Sequence, residues 1–157
     1  MKKLFAILLL STIAHAQEFG GAGNYDGELF TGAGYHNPIS IQAGEYKACE
    51  SVGSDMYRCD VTNGRIEIQT NRGPETFTLT RVVVLSSESV GTATEPSVPT
   101  EHHYFRASRS LKFGEKDVAQ AANVTVNWYS NKKDRVFGFI ELTELGARSS
   151  FEAYRKY

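Results

Sequence analysis

Tyr57-Arg58-Cys59-Asp60-Val61-Thr62-Asn63-Gly64-Arg65-Ile66-Glu67-Ile68-Gln69 alternates apolar and polar residues on both sides of an Asn-Gly pair. A period of two is the signature of a half-buried β-strand. Asn-Gly between two such runs predicts a type I′ hairpin, because both central residues of that turn need a positive φ. In that hairpin Thr62 faces Arg65, Val61 faces Ile66 and Cys59 faces Ile68. Tyr57, Cys59, Val61, Ile66 and Ile68 then share one apolar face. Asn71-Arg72-Gly73-Pro74 turns the chain again, so that Phe77, Leu79 and Val83 join that face.

The same period extends outward. Thr76-Phe77-Thr78-Leu79-Thr80 alternates and runs on into Val82-Val83-Val84-Leu85, and Val124-Thr125-Val126-Asn127-Trp128 alternates again. Residues 101–113 continue the strand pattern, and residues 124–129, the apolar and aromatic 136–142 and 150–157 then form a second meander. Only residues 114–122 offer a short helix, and one of that length is marginal in water. About eight or nine strands in two hairpin groups predict an all-β fold, an antiparallel β-sandwich or a small closed β-barrel. The domain is expected over residues 45–157. Residues 17–44, glycine-rich at their start, read as an irregular lead-in.

Met1-Lys2-Lys3, the apolar run over residues 4–14 and Ala14-His15-Ala16 have the layout of a secretory signal peptide over residues 1–16. The alternative, an uncleaved anchor, needs roughly 20 apolar residues to span a bilayer. The short basic leader implies bacterial export by the Sec route, to the periplasm or the exterior. Without Lys2 and Lys3, 15 basic residues face 18 acidic ones. Neither nucleic acid nor an anionic membrane is an expected partner for so balanced a chain. No stretch after the leader is long and apolar enough for a membrane helix, and charged residues interrupt any lipid-facing strand band, so membrane integration is not expected.

Cys49 and Cys59 are expected to form a disulfide in an exported protein. Residues 53–55 lie midway between them, and a hairpin there sets the two opposite each other. The parities clash, however. Cys49 alternates with Lys47 and Glu45, which belong outside, whereas Cys59 alternates with Tyr57 and Val61, which belong inside. Either a bulge shifts the register or the first strand is an edge pinned by the disulfide. Reduced thiols are the alternative, and the ten-residue spacing suits a staple better than a redox pair.

Few residues suggest chemistry. Glu101 and His103 lie on one face of a strand, and with His36 brought in by folding they are the weak candidates for a metal site. His102 points the other way. Gly20-Gly21-Ala22-Gly23 faintly resembles a phosphate cradle but lacks the lysine and serine or threonine of that motif. No Gly-x-Ser-x-Gly elbow occurs. Carboxylate pairs such as Glu141 with Glu144 look like solvent-facing strand ends. Neither catalytic residues nor a cofactor site are expected.

Trp128, Phe137 and Phe139 form the densest aromatic group, with Trp128 and Phe137 nearly opposite across residues 131–134. They are expected either to pack the core or to wall a ligand pocket. Residues 86–100 form a long patternless break, which reads as a crossover or as a contact loop for a protein or envelope partner. The leading expectation is a small exported, non-enzymatic β-domain with a binding or structural envelope role. The alternative is a calycin-like barrel for a small apolar ligand, and a third is a small enzyme with an unrecognised site. A filled core and a hollow one separate the first two.

Overall fold

A computed structural model describes residues 18–88, 94 and 96–157 of the chain; the leader, residues 1–16, lies outside the described residues. Among the described residues nine antiparallel strands follow one another: β1 (Asn24–Phe30), β2 (His36–Gln42), β3 (Glu45–Gly53), β4 (Met56–Thr70), β5 (Gly73–Glu88), β6 (Pro99–Phe113), β7 (Lys116–Tyr129), β8 (Arg135–Leu142) and β9 (Ala147–Arg155). They pair in the order β2-β1-β9-β8-β7-β6-β5-β4-β3, and a further pairing of β2 with β4 closes the ring. The result is an eight-stranded up-and-down barrel with β3 as an extra strand. β3 continues the direction of β2 and pairs with β4 alone among the described residues.

The Asn63-Gly64 pair is not a hairpin. β4 runs through it, and the register against β5 shifts between Asp60 and Gly64. Asn63 takes φ 58°, a left-handed conformation that asparagine tolerates better than most residues. The positive φ that the sequence signals is therefore spent on a bulge instead of a turn. Up to Thr62 β4 pairs with β3, and from Arg65 onward it pairs with β2. The bulge switches which parity faces inward, from Cys59 and Val61 to Ile66 and Ile68, all four buried. The predicted apolar face is thus correct although the turn is not. A second bulge at Thr80 does the same in β5, so Val82 and Val84 are buried and Val83 lies on the other side.

Both explanations for the cysteine clash hold together. β3 is an edge strand, and its register against β4 shifts between Lys47 and Glu50, with Ala48 at φ 51°. Ala48 and Cys49 together oppose Cys59. The two sulfurs are bonded, with Cα atoms 4.1 Å apart; Cys59 is buried and Cys49 exposed. Closing so short a loop stabilises the fold by about 2.5 kcal/mol in the chain-entropy picture. The double substitution Cys49→Ala/Cys59→Ala is expected to lower stability by that amount in urea unfolding, and a reductant is expected to do the same to the parent chain.

Two boundaries differ from expectation. Asn24 to Gln42 are integral barrel strands, with Tyr25, Leu29, Ile39 and Ile41 buried. Glycines hid this alternation. A Cβ on Gly27 would lie 2.0 Å from the Glu152 carbonyl oxygen, so strand packing at this position admits no side chain. Residues 114–122 form no helix: Gly114 and Glu115 make a hairpin turn, and Lys116 pairs with Phe113. Pairing with the long β6 overrides a helix too short to persist alone.

Inside, the barrel is filled through its middle. Ile41, Ile66, Leu79, Val82, Val84, Val124 and Val136 are at most 1% exposed, and each contributes roughly 1.5–3 kcal/mol of burial. The two ends differ. At one lie the connections 31–35, 71–72, 114–115 and 143–146. At the other lie 54–55, 96–98 and 130–134, together with the chain's approach to β1 and its exit from β9.

Candidate functional site

The second end is stoppered by the chain itself. Residues 19–22 form a turn closed by Ala22 N–H donating to the Phe19 carbonyl at 3.1 Å. Gly20 N–H and Gly21 N–H donate to the two oxygens of Glu101, at 3.1 and 2.8 Å. The glycine cluster does cradle an anion, and the anion is a carboxylate of its own chain. Glycine is required here by close approach: a Cβ on Gly20 would lie 2.5 Å from the Trp128 ring, and one on Gly21 2.6 Å from His103. His103, wholly buried, donates from Nε2 to Glu101 at 2.9 Å. Its Nδ1 is left to accept from the Tyr46 hydroxyl at 2.8 Å. From the other side Arg155 Nη2 donates to the carbonyls of Gly20 and Ala22 and to the Tyr25 oxygen, at 2.5, 3.2 and 2.9 Å. Phe19 packs edge-on to Tyr57 and His103.

This network joins tyrosine, histidine and glutamate, as a proton relay would, yet its electrostatics point to a fastener. Burial pushes the Tyr46 phenol well above its ordinary range, the reverse of activation. Burial also raises the Glu101 carboxyl, but the hydrogen bonds from His103 and the two glycines outweigh it and hold that carboxyl below the usual glutamate value. A carboxyl depressed in the folded state adds stability above its unfolded pKa of about 4.3, and loses it as pH falls through the folded value. Thermal melts from pH 7 to 3 are expected to show a gap between the parent chain and Glu101→Gln that closes at the acid end. A constant gap would contradict the charge's role in the stopper.

The first end is open. A cleft of about 230 Å³ is walled by Leu29, Ile68, Phe77, Ile140 and Leu142. Arg109 and Glu75 also line it, as an ion pair between Arg109 Nη1 and Glu75 Oε2. Arg109 Nε donates to Gln120 Oε1 at 2.7 Å, and its guanidinium lies 5.0 Å from the centre of the Phe77 ring. Above the rim, β6 and β7 continue as a two-stranded ribbon. Leu111, Phe113 and Val118 fall on the inward parity there, with Phe113 66% and Val118 45% exposed.

No family model, curated protein or solved structure matches this chain. Its function has to be read from these two ends.

The expected site residues are dispersed. Glu101 and His103 meet in the stopper, while His36 sits near the open end, exposed, 3.2 Å from Glu28. No cluster of three metal-ligating side chains occurs among the described residues. Trp128 pairs with Val136, one residue from the expected register, and that slip turns Phe137 and Phe139 to the outer surface. There Arg135 lies over Phe137 and Arg148 over Phe139, at 4.4 and 3.4 Å from the ring centres. Trp128 alone points inward, against Gly20 in the stopper. Of the loop at 86–100, residues 86–88 and 99–100 are strand and pair across β5 and β6. Residues 89–93 and 95 lie outside the described residues.

Arg109, Glu75 and Gln120 carry no motif in the sequence. Their signal was parity: each continues an inward-facing alternation, Arg109 after His103, Phe105 and Ala107, Glu75 before Phe77 and Leu79, Gln120 before Ala122 and Val124. Three polar residues at inward positions, on three neighbouring strands, mark one level of the barrel as different.

Proposed function

We propose that this chain is an exported, non-enzymatic binding protein whose small apolar ligand sits in the cleft at the open end of the barrel; the filled middle speaks against a hollow, calycin-like interior and moves the ligand to the rim. The observation that carries this reading is the asymmetry of the barrel: one end closed by the residue 19–22 turn, the other holding an apolar cleft. A cavity of about 150 Å³ is enough for benzene. A cleft of about 230 Å³ suits a slightly larger body, and the apolar side of the β6–β7 ribbon extends the surface beyond the rim. The leader and the bonded cysteines support export.

The outer wall supports a barrel that works in water. Asp26, Glu28, Arg65 and Glu67 lie on the outward parity of β1 and β4, where lipid would leave them unsolvated. A non-enzymatic role fits the stopper, whose hydrogen bonds are spent on holding the N-terminal turn.

Trp128 lies at the wrong end to report on the cleft. Leu142→Trp places a reporter on its wall. Titration with 1-octanol is expected to shift that emission saturably over a constant Trp128 background. An unresponsive emission, with the fold intact by circular dichroism, would refute the reading.

A further inference from the structure

We propose that Glu75 stands in for the head group of the ligand, and that the open cleft selects a short amphiphile with a carboxylate head. The inference rests on the apolar-cleft reading and adds the ligand's polar end. Within the ion pair, Arg109 is the fixed member. Its side chain is 14% exposed, held by Gln120 at Nε and laid along Phe77. Glu75 is the movable member, 39% exposed and three residues from the hairpin turn at 71–72.

Arg109 has five N–H donors in a planar fork. Gln120 and Glu75 engage Nε and Nη1, and Nη2 has no hydrogen-bond partner among the described residues. A ligand carboxylate can take both Nη1 and Nη2 once Glu75 swings to solvent, a bidentate arrangement stronger than the single contact it replaces. Its hydrocarbon body then lies among Leu29, Ile68, Ile140 and Leu142. A cation has no equivalent route, because removing Arg109 from Glu75 would strand a half-buried guanidinium. The pairing is an internal competition: the chain's carboxylate holds the site when no ligand does.

Calorimetric titration with octanoate, 1-octanol and octylamine tests this, on the parent chain, Glu75→Gln and Arg109→Met. Glu75→Gln is expected to tighten octanoate about tenfold, the scale of one charge-assisted hydrogen bond, and to change octanol by less than about twofold. Arg109→Met is expected to abolish any preference for octanoate over octanol while octanol still binds. If octanol binds but Glu75→Gln leaves octanoate unchanged, or if octylamine binds best, the head-group assignment is wrong and the cleft survives. If none of the three probes binds, the cleft reading falls and takes this inference with it.

Discussion

Glu101→Ala is expected to cost about 3 kcal/mol and to lower the melting temperature by roughly 10 °C. The carboxylate satisfies three donors, from Gly20, Gly21 and His103. Its side chain is 13% exposed and His103 is fully buried, so water replaces those bonds poorly. Each buried donor left without a partner costs about 1–3 kcal/mol, and the glycine amides recover part of this by reaching solvent as the turn loosens. Amide exchange at Gly20 and Gly21 is therefore expected to accelerate well before the barrel opens. Glu101→Gln keeps the shape and one acceptor, and is expected to lose about half as much. An unchanged melting temperature for Glu101→Ala would mean that the turn is held by packing and Arg155 alone.

Gly138→Val is expected to have the largest effect of any single change, more than about 4 kcal/mol, enough to prevent folding. Gly138 faces inward between Val136 and Ile140 on β8. A Cβ there would lie 1.9 Å from the Thr125 carbonyl oxygen and 2.5 Å from Phe151 Cζ. A side chain could rotate away; a backbone oxygen in the ladder cannot. Gly146→Ala is the contrast. That glycine takes φ 60° in the β8–β9 turn, with nothing within 4 Å of its Cβ position. Its cost is backbone strain alone, about 1 kcal/mol. Urea unfolding of the two variants should separate the contributions of space and conformation, and similar losses would contradict this account of β8.

The all-β architecture was legible because alternation survives bulges. Tyr57, Cys59, Val61, Ile66 and Ile68 were grouped on one face, and they do share it, although the Asn63-Gly64 bulge links them instead of a turn. Asn-Gly announces positive φ, and positive φ serves a bulge as well as it serves a hairpin. Barrel closure was not legible, since it depends on β2 meeting β4 across a break at Gly44 (φ 79°). The aromatic wall failed by one residue of register at the Ser130–Lys132 3-10 turn, and a single step moves Phe137 and Phe139 through the sheet to the other side. The stopper was half visible. Its glycines and the Glu101–His103 pair each stand out in the sequence, but 80 residues separate Gly21 from Glu101 and no local pattern records that they meet.

Ligand entry at the open end is the central claim, and chemical-shift mapping tests it most directly. In a titration of isotope-labelled protein with 1-octanol, saturable shifts are predicted for the methyl groups of Leu29, Ile68, Ile140 and Leu142. The Trp128 indole and the Gly20 and Gly21 amides, at the stoppered end, are predicted to stay where they are. Shifts centred on Trp128 and the glycines, or none at saturation, would contradict the account.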